Sequence, residues 1–338
     1  MRSAILGLGL ALVGCAVAPP KTPRLNAVRA WAALLQNVEG AAQADELAAA
    51  QVDLLVLEPT RSVRGRDAAA MLPIVGRVRR SAGVTVSRKI CLAYFNVGQA
   101  EDYRSYWSAE WRAPQASQPG APSFLLSVDP DGWEGNYAVA FWDPRWRATL
   151  WGHPDAPLDQ LLADGFDGVY LDWVLAYAEP SVVAAARRDG VDPAAAMVEL
   201  LADLRHYAHE QRPDFLMIQQ NAIDLIEREP GVLDVIDGLA HEDLSFSGRA
   251  GAAWGQPGAG DVAAPDEGPW STASLGERLA ALAHRGVPVF TMDYAADPQN
   301  AVVAERASRA LGLVPFVSRA PARPLAACVV AAARVSCR

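Results

Sequence analysis

Short apolar runs recur along the chain, most of them end at a polar residue, and segments with helical spacing separate them. The runs are Trp31 to Val38, Leu54 to Leu57, Lys89 to Phe95, Val169 to Leu171, Phe215 to Ile218, Ile236 to Ala240, Val287 to Met292 and Leu313 to Val317. Continuous rather than alternating hydrophobicity is what a parallel strand buried on both faces requires. Helical spacing is read over Asp45 to Gln51, Ala68 to Ser81 (Leu72, Val75 and Val78 on one face), Trp146 to Ala163 and Pro180 to His209, with a break at Gly190 to Pro193. It returns over Asp224 to Glu229, Ser274 to Arg285 and Gln299 to Leu311. Strands and helices alternating at this interval predict an α/β chain folded as a single-domain (β/α)8 TIM barrel. The main rival is an open doubly wound sheet, disfavoured because no glycine-rich phosphate loop follows the first run.

Two stretches interrupt the alternation. Pro114, Pro119, Gly120, Pro122, Pro130, Gly132 and Gly135 punctuate a long aromatic segment between the third and fourth strands, and Gly248 to Pro269 is rich in Gly, Ala and Pro. Loops of this length inside a compact domain are expected to be functional.

A barrel gathers the C-terminal ends of its strands at one face, and chemistry sits there. The polar residues expected at those ends are Glu58, Asn96, Asp172, Asn221, Glu242 and Asp293. Carboxylates, amides and aromatics around one cleft suit hydrolysis of a glycosidic bond. That reaction needs one group to protonate the leaving oxygen and another to meet the cationic anomeric carbon. Which of the acids form the pair is open from composition alone, and Glu242 has Asp243 beside it as a competitor. No Cys-x-x-Cys spacing occurs and the histidines are scattered, so neither a metal site nor a cofactor is expected.

Composition adjusts the picture at the margins. The 338 residues, about half of them apolar, suffice for one barrel or two smaller domains, and a net charge of −9 argues against nucleic acid as a partner. Trp107, Trp111, Trp133, Trp142, Trp146, Trp151 and Trp173 crowd the middle of the chain, where their rings are candidates for stacking on sugars. At the N-terminus, Met1-Arg2 precedes an apolar stretch too short for a comfortable membrane span, ending in Leu12-Val13-Gly14-Cys15. This resembles a bacterial lipoprotein signal. The expectation is a signal peptide over 1–14, a lipid on Cys15 that holds the protein to a membrane, a proline-rich tether over 15–27 and the barrel over 28–338. It implies an exported cell-envelope protein, periplasmic or anchored at the outer membrane, in which Cys328 and Cys337 are a candidate disulfide and Cys91 a core residue.

Several segments together resemble glycoside hydrolase family 114, which contains endo-α-1,4-polygalactosaminidases. They are Ala93 to Arg104 (Ala-Tyr-Phe-Asn-Val-Gly-Gln-Ala-Glu-Asp-Tyr-Arg), Trp133 to Tyr137, Phe141 to Asp143, Gly165 to Asp172 (Gly-Phe-Asp-Gly-Val-Tyr-Leu-Asp), Gln220-Asn221 and Gly238 to Leu244. The resemblance runs from about Trp31 to about Val317. It implies that Asp172 is the nucleophile and Glu242 the general acid/base of a retaining, endo-acting glycosidase on an amino-sugar polysaccharide. Tyr94, Asn96, Asn136, Tyr137, Trp142, Asn221, Asp293 and Glu58 are then candidate substrate-binding residues. Glu58 departs from the family pattern, where Asp is common at that strand end. A function of another class, a non-catalytic glycan-binding or envelope-assembly lipoprotein on the same fold, predicts binding without product.

Overall fold

The protein is described from a computed structural model over residues 23–35, 38, 40–59, 71–115, 118–249 and 256–318, with the backbone alone at 328–331 and 334–337. The strands are β1 (Trp31–Leu34), β2 (Leu54–Leu57), β3 (Ile90–Asn96), β4 (Gly168–Asp172), β5 (Leu216–Gln220), β6 (Gly238–Glu242), β7 (Val289–Tyr294) and β8 (Val314–Ser318). They pair in sequence order, every pair parallel. The indole N–H of Trp31 donates to the Val314 carbonyl at 3.0 Å and links β1 to β8, so the sheet is nearly closed. This is a (β/α)8 barrel.

Inward positions at the lower end of the barrel are aromatic. The Trp31 ring lies 6.3 Å from that of Tyr170, 5.7 Å from Phe290 and 5.5 Å from Phe316, measured between centroids. Such rings fill the lumen and leave the opposite end for polar side chains. At the N-terminal face, the residue before each of β2, β4 and β6 is a buried aspartate that ties neighbouring segments together. Asp53 accepts from the Arg29, Ala30 and Thr85 backbones, Asp167 from Cys91 and Asp237 from Met217. Arg24 and Arg79 pair with Asp167, and Arg205 with Asp237. In the Asp167-Gly168 pair the glycine is required, because a Cβ there would stand 2.2 Å from the Leu216 carbonyl oxygen on β5.

Helix boundaries follow local chemistry. The stretch expected as one helix over Trp146 to Ala163 is two, Pro144–Leu150 and Pro157–Asp164, because Pro157 has no N–H to continue a helix and opens a new one. The break expected at Gly190 to Pro193 is present. Gly190, at φ 70°, ends Pro180–Asp189, and the Asp192 side chain caps Pro193–Gln211. In Met71–Arg79 the buried face is Met71, Ile74, Val75 and Val78, while Leu72 is exposed.

Of the stretch 15–27 expected as a tether, only the residues from Pro23 onward are described. Pro23–Asn26 forms a helical turn whose Leu25 is buried and whose Arg24 bonds Asp167, so these residues belong to the barrel. The signal segment and Cys15 lie outside the described residues, and among those described no helix is long and apolar enough to cross a membrane. An antiparallel hairpin sets Cys328 opposite Cys337 in backbone register, and their side chains lie outside the described set.

The long segment after β3 folds back on the barrel as a three-stranded antiparallel sheet of Gln99–Glu101, Asn136–Val139 and Leu125–Val128, with Asn136–Val139 in the centre. Most of its aromatics make its own core. Trp107, Phe124 and Trp146 are buried, and Trp111 packs edge-on against both Trp107 and Phe124. Trp173 is buried as well. The expectation that these rings stack on sugars therefore fails for Trp107, Trp146 and Trp173, since a buried ring offers no free face. Trp133 stays exposed. In the second long loop, Phe246–Ser247 pairs with Val262–Ala263.

Candidate active site

Strand alternation decides which side chains enter the barrel mouth. On β4, Tyr170 and Asp172 share one face, and the register pairs them with Tyr94 and Asn96 of β3. The Tyr94 hydroxyl donates to Asp172 Oδ2 at 2.5 Å. Burial pushes the Asp172 carboxyl up to about 6 against the bonds from Tyr94 and the Trp173 backbone, which pull it down.

Glu242, the last residue of β6, stands on the same inward face. The Tyr294 hydroxyl donates to its Oε2 at 3.1 Å and the Tyr170 hydroxyl to its Oε1 at 3.5 Å, and Gln220 of β5 shares the inward face. Asn221 Oδ1 accepts the Glu242 backbone N–H at 2.9 Å and fixes the strand end. Burial first, and the Asp172 charge second, raise Glu242 to about 7. The Tyr170 hydroxyl feels both carboxylates. The two acids therefore share one inward face with Tyr170, an arrangement suited to acid/base and nucleophilic work at one bond.

Asp243 is excluded from this group. Its backbone is left-handed at φ 62°, its side chain is exposed, and the tyrosines address Glu242 instead. The tyrosine bonds single out Glu242, the acid that the family resemblance also implies.

The remaining candidates divide between the mouth and its scaffold. Tyr94 is in the mouth, on Asp172. Asn96 is buried in a turn, where its Oδ1 accepts from the Gly98 and Gln99 backbones and its amide reaches Gln99 Oε1 at 3.1 Å. Asn136 reaches the same Gln99 oxygen at 3.2 Å, and the Tyr137 hydroxyl donates to Asp102 at 3.0 Å, so both brace the inserted sheet. Glu58 is buried and ion-paired with Arg104 at 2.5 Å, and Arg104 also holds Glu101 at 2.7 Å. A substrate-contact role for Glu58 is corrected to an internal one, because its buried carboxylate is already held by the Arg104 guanidinium. Trp142 lends its indole N–H to Asp189 at 3.0 Å on the helix Pro180–Asp189.

Asp293 is likewise corrected. Met292 is paired with Glu242 and faces inward with Tyr294, so Asp293 and Thr291 face outward. Thr291 accordingly bonds Ser308 at 2.7 Å on the surrounding helix, and Asp293 accepts the Ser245 and Phe246 N–H groups at 2.6 and 2.9 Å. Its task is to hold the loop after β6.

Sequence reasoning passed over Tyr170, Tyr294, Gln220 and Arg104. A signal existed for Tyr170, two residues before Asp172 on the same strand face. None existed for Tyr294, whose inward position follows only from the β6–β7 register. Among the described residues no group of three or more His, Cys, Asp or Glu is placed to hold a metal ion.

Comparison with known proteins agrees with this geometry. The chain is 33% identical over 302 residues to an uncharacterized protein of Deinococcus radiodurans, covering 88% of this chain and 83% of that one. Its fold is similar to the glycoside hydrolase domain of PelA from Pseudomonas aeruginosa, at 21% identity and a TM-score of 0.57 over 86% of this chain and 94% of that one. It is similar also to Aspergillus fumigatus Ega3, solved in complex with galactosamine, at 15% identity and 0.57 over 92% and 96%. The sequence model of glycoside hydrolase family GH114 matches residues 30–331, nearly the whole barrel. The chain belongs to glycoside hydrolase family 114 and is a glycosidase.

Proposed function

We propose that this glycosidase cleaves internal α-linkages of a galactosamine-containing or related amino-sugar polysaccharide by a retaining mechanism, with Asp172 as nucleophile and Glu242 as general acid/base. The observation that carries the pairing is the Tyr170 hydroxyl, which bonds Glu242 and stands on the strand face of Asp172. A retaining mechanism needs carboxyls only about 5 Å apart, and that separation is the geometric requirement on Asp172 and Glu242. In the first step Glu242 gives its proton to the glycosidic oxygen, the C1–O bond breaks, and an Asp172 oxygen bonds to C1. In the second, Glu242 takes a proton from water as that water's oxygen attacks C1 and frees Asp172.

Support for the substrate class comes from two directions. Ega3 was solved with galactosamine, and a chain of net charge −9 with an acidic mouth attracts an ammonium-bearing polymer. The acids titrate as a pair at about 6 and about 7, so activity on partly deacetylated polygalactosamine should peak between those values.

The test is release of reducing ends, with the product anomer read by NMR. Asp172→Asn and Glu242→Gln should each lower kcat by roughly 10³-fold or more. Binding without product in the wild type would favour the non-catalytic alternative, and an inverted anomer would remove the nucleophile role. The Leu12 to Cys15 pattern supports a lipid-anchored envelope location. Cys15→Ser should then move the protein from the membrane to the soluble fraction, and an unchanged distribution would count against the anchor.

A further inference from the structure

A chain of buried side chains runs from the inserted sheet to Asp172, and each bond in it has one polarity. It begins at Asp129, which follows Leu125–Val128 and whose Oδ1 accepts the Asp131 and Trp133 backbone N–H groups at 2.8 and 3.0 Å. Its Oδ2 accepts the Gln99 amino group at 2.5 Å. Gln99 Oε1 therefore faces the other way, where it accepts the amino groups of Asn96 and Asn136 at 3.1 and 3.2 Å. Asn96 Oδ1 is taken by the Gly98 and Gln99 backbone N–H groups at 3.2 and 2.8 Å, and its amino group reaches the Tyr94 hydroxyl at 3.3 Å. Tyr94 in turn donates to Asp172 Oδ2 at 2.5 Å. Asp129, Gln99 and Asn96 are all buried.

The direction of the chain follows from counting donors and acceptors. Backbone N–H groups only donate and the Asp129 carboxylate only accepts, so neither amide can turn over without setting donor against donor. The Asn96 amino group is fully used, on Gln99 Oε1 and on the Tyr94 oxygen. A hydroxyl carries a single proton, and a donor on its oxygen leaves that proton for Asp172.

We propose that Asn96 is a positioning residue for the nucleophile, holding the Tyr94 hydroxyl as a donor to Asp172 in an orientation that Gln99 and Asp129 impose from the inserted sheet. This rests on the reading of Asp172 as nucleophile. The anion must be present when C1 is attacked and must re-form when water releases the sugar, and an O–H aimed at Asp172 favours it in both steps. No proton leaves Tyr94, and Asn96 acts only through it. The other groups facing Asp172 are Tyr170 on its own strand, Glu242 from β6, and Glu101 and Asp129 from the insertion.

The experiment is a carboxyl 13C NMR titration of the protein labelled at Asp Cγ, with Asp172→Asn assigning the resonance, on a double-mutant cycle of Asn96→Asp and Tyr94→Phe. Asn96→Asp keeps an acceptor for the Gly98 and Gln99 N–H groups and turns the donor on Tyr94 into a second acceptor, so two carboxylates compete for one phenol proton. The substitution should raise the Asp172 midpoint by about one pH unit more in wild type than in the Tyr94→Phe background. The added charge alone acts in both backgrounds, so an equal rise overturns the proposal. The acid limb of the kcat/KM profile should follow the midpoint, with kcat lower by about tenfold and KM within about twofold. A limb that stays in place also overturns it. If Asn96→Asp does not fold, Asn96→Ser, whose hydroxyl serves the same turn without a charge, enters the same cycle with an expected coupling of about half a pH unit, and zero coupling overturns the proposal. If wild type hydrolyses no amino-sugar polymer, the nucleophile reading falls, while the NMR cycle still decides whether Asn96 acts on Asp172 through Tyr94.

Discussion

Tyr94 works against the burial of Asp172. A carboxyl taken out of water gains protons, and the 2.5 Å bond from the Tyr94 hydroxyl favours the anion that a nucleophile requires. Tyr94→Phe removes that donor and keeps the ring, so Asp172 should ionise at higher pH. The acid limb of kcat/KM moves up toward the alkaline limb, the optimum narrows, and kcat falls by about tenfold. A pH–rate profile with an unmoved acid limb would show that the bond does not govern the nucleophile. At this level the sequence was informative about acids and poor about their partners. An acid at the tip of an apolar run is visible as a pattern, whereas the tyrosines that control it are ordinary residues until the strand register aligns them.

The inserted sheet after β3 is joined to the barrel by charge as well as by packing. Arg104, at the start of the aromatic segment, reaches Glu58 just beyond β2 and Glu101 of the insertion, and all three are buried. Its guanidinium also lies 5.7 Å from the centre of the Tyr94 ring. Removing a buried cation from between two carboxylates is costly because both lose it at once. Arg104→Met should therefore destabilise the fold by about 3–5 kcal/mol. Urea denaturation would measure this, and a loss under about 1 kcal/mol would mean that the triad is weakly coupled to folding. Proline and glycine spacing marked where this element begins and ends. It did not show that the aromatics face each other, because short aromatic-rich strands carry no periodicity that distinguishes an internal core from a binding surface.

Several carboxyls ionise later than they would in an unfolded chain, three of them at strand ends of the barrel. Asp172, Glu242 and Asp293 are raised to about 6, about 7 and about 6 from ordinary values of 3.8, 4.5 and 3.8. For a raised acid the folded state holds the proton longer, so its contribution is complete below the ordinary value and fades as pH climbs through the raised one. Between about pH 4.5 and 8 thermal stability should decline at constant ionic strength. Asp293→Asn, which keeps an acceptor for Ser245 and Phe246, should flatten part of that decline. A melting temperature rising across the interval would contradict the assignment. The mouth is thus held at a cost to stability, as expected where like charges gather for chemistry.

Alternating apolar runs and helical segments were enough to specify the barrel. Burial on both faces of a parallel strand writes itself into local composition, and capping residues and prolines write the helix ends. Asp172 and Glu242 were readable as acids at strand tips, although not with Glu242 preferred over Asp243 on local pattern alone. The folded chain alone could turn Asp293 outward and Tyr294 inward, pair Glu58 with Arg104, enclose several tryptophans and set Tyr170 against Glu242. Each of these depends on register between strands distant in sequence, and register has no local signature: a shift of one residue exchanges every inward side chain for its outward neighbour.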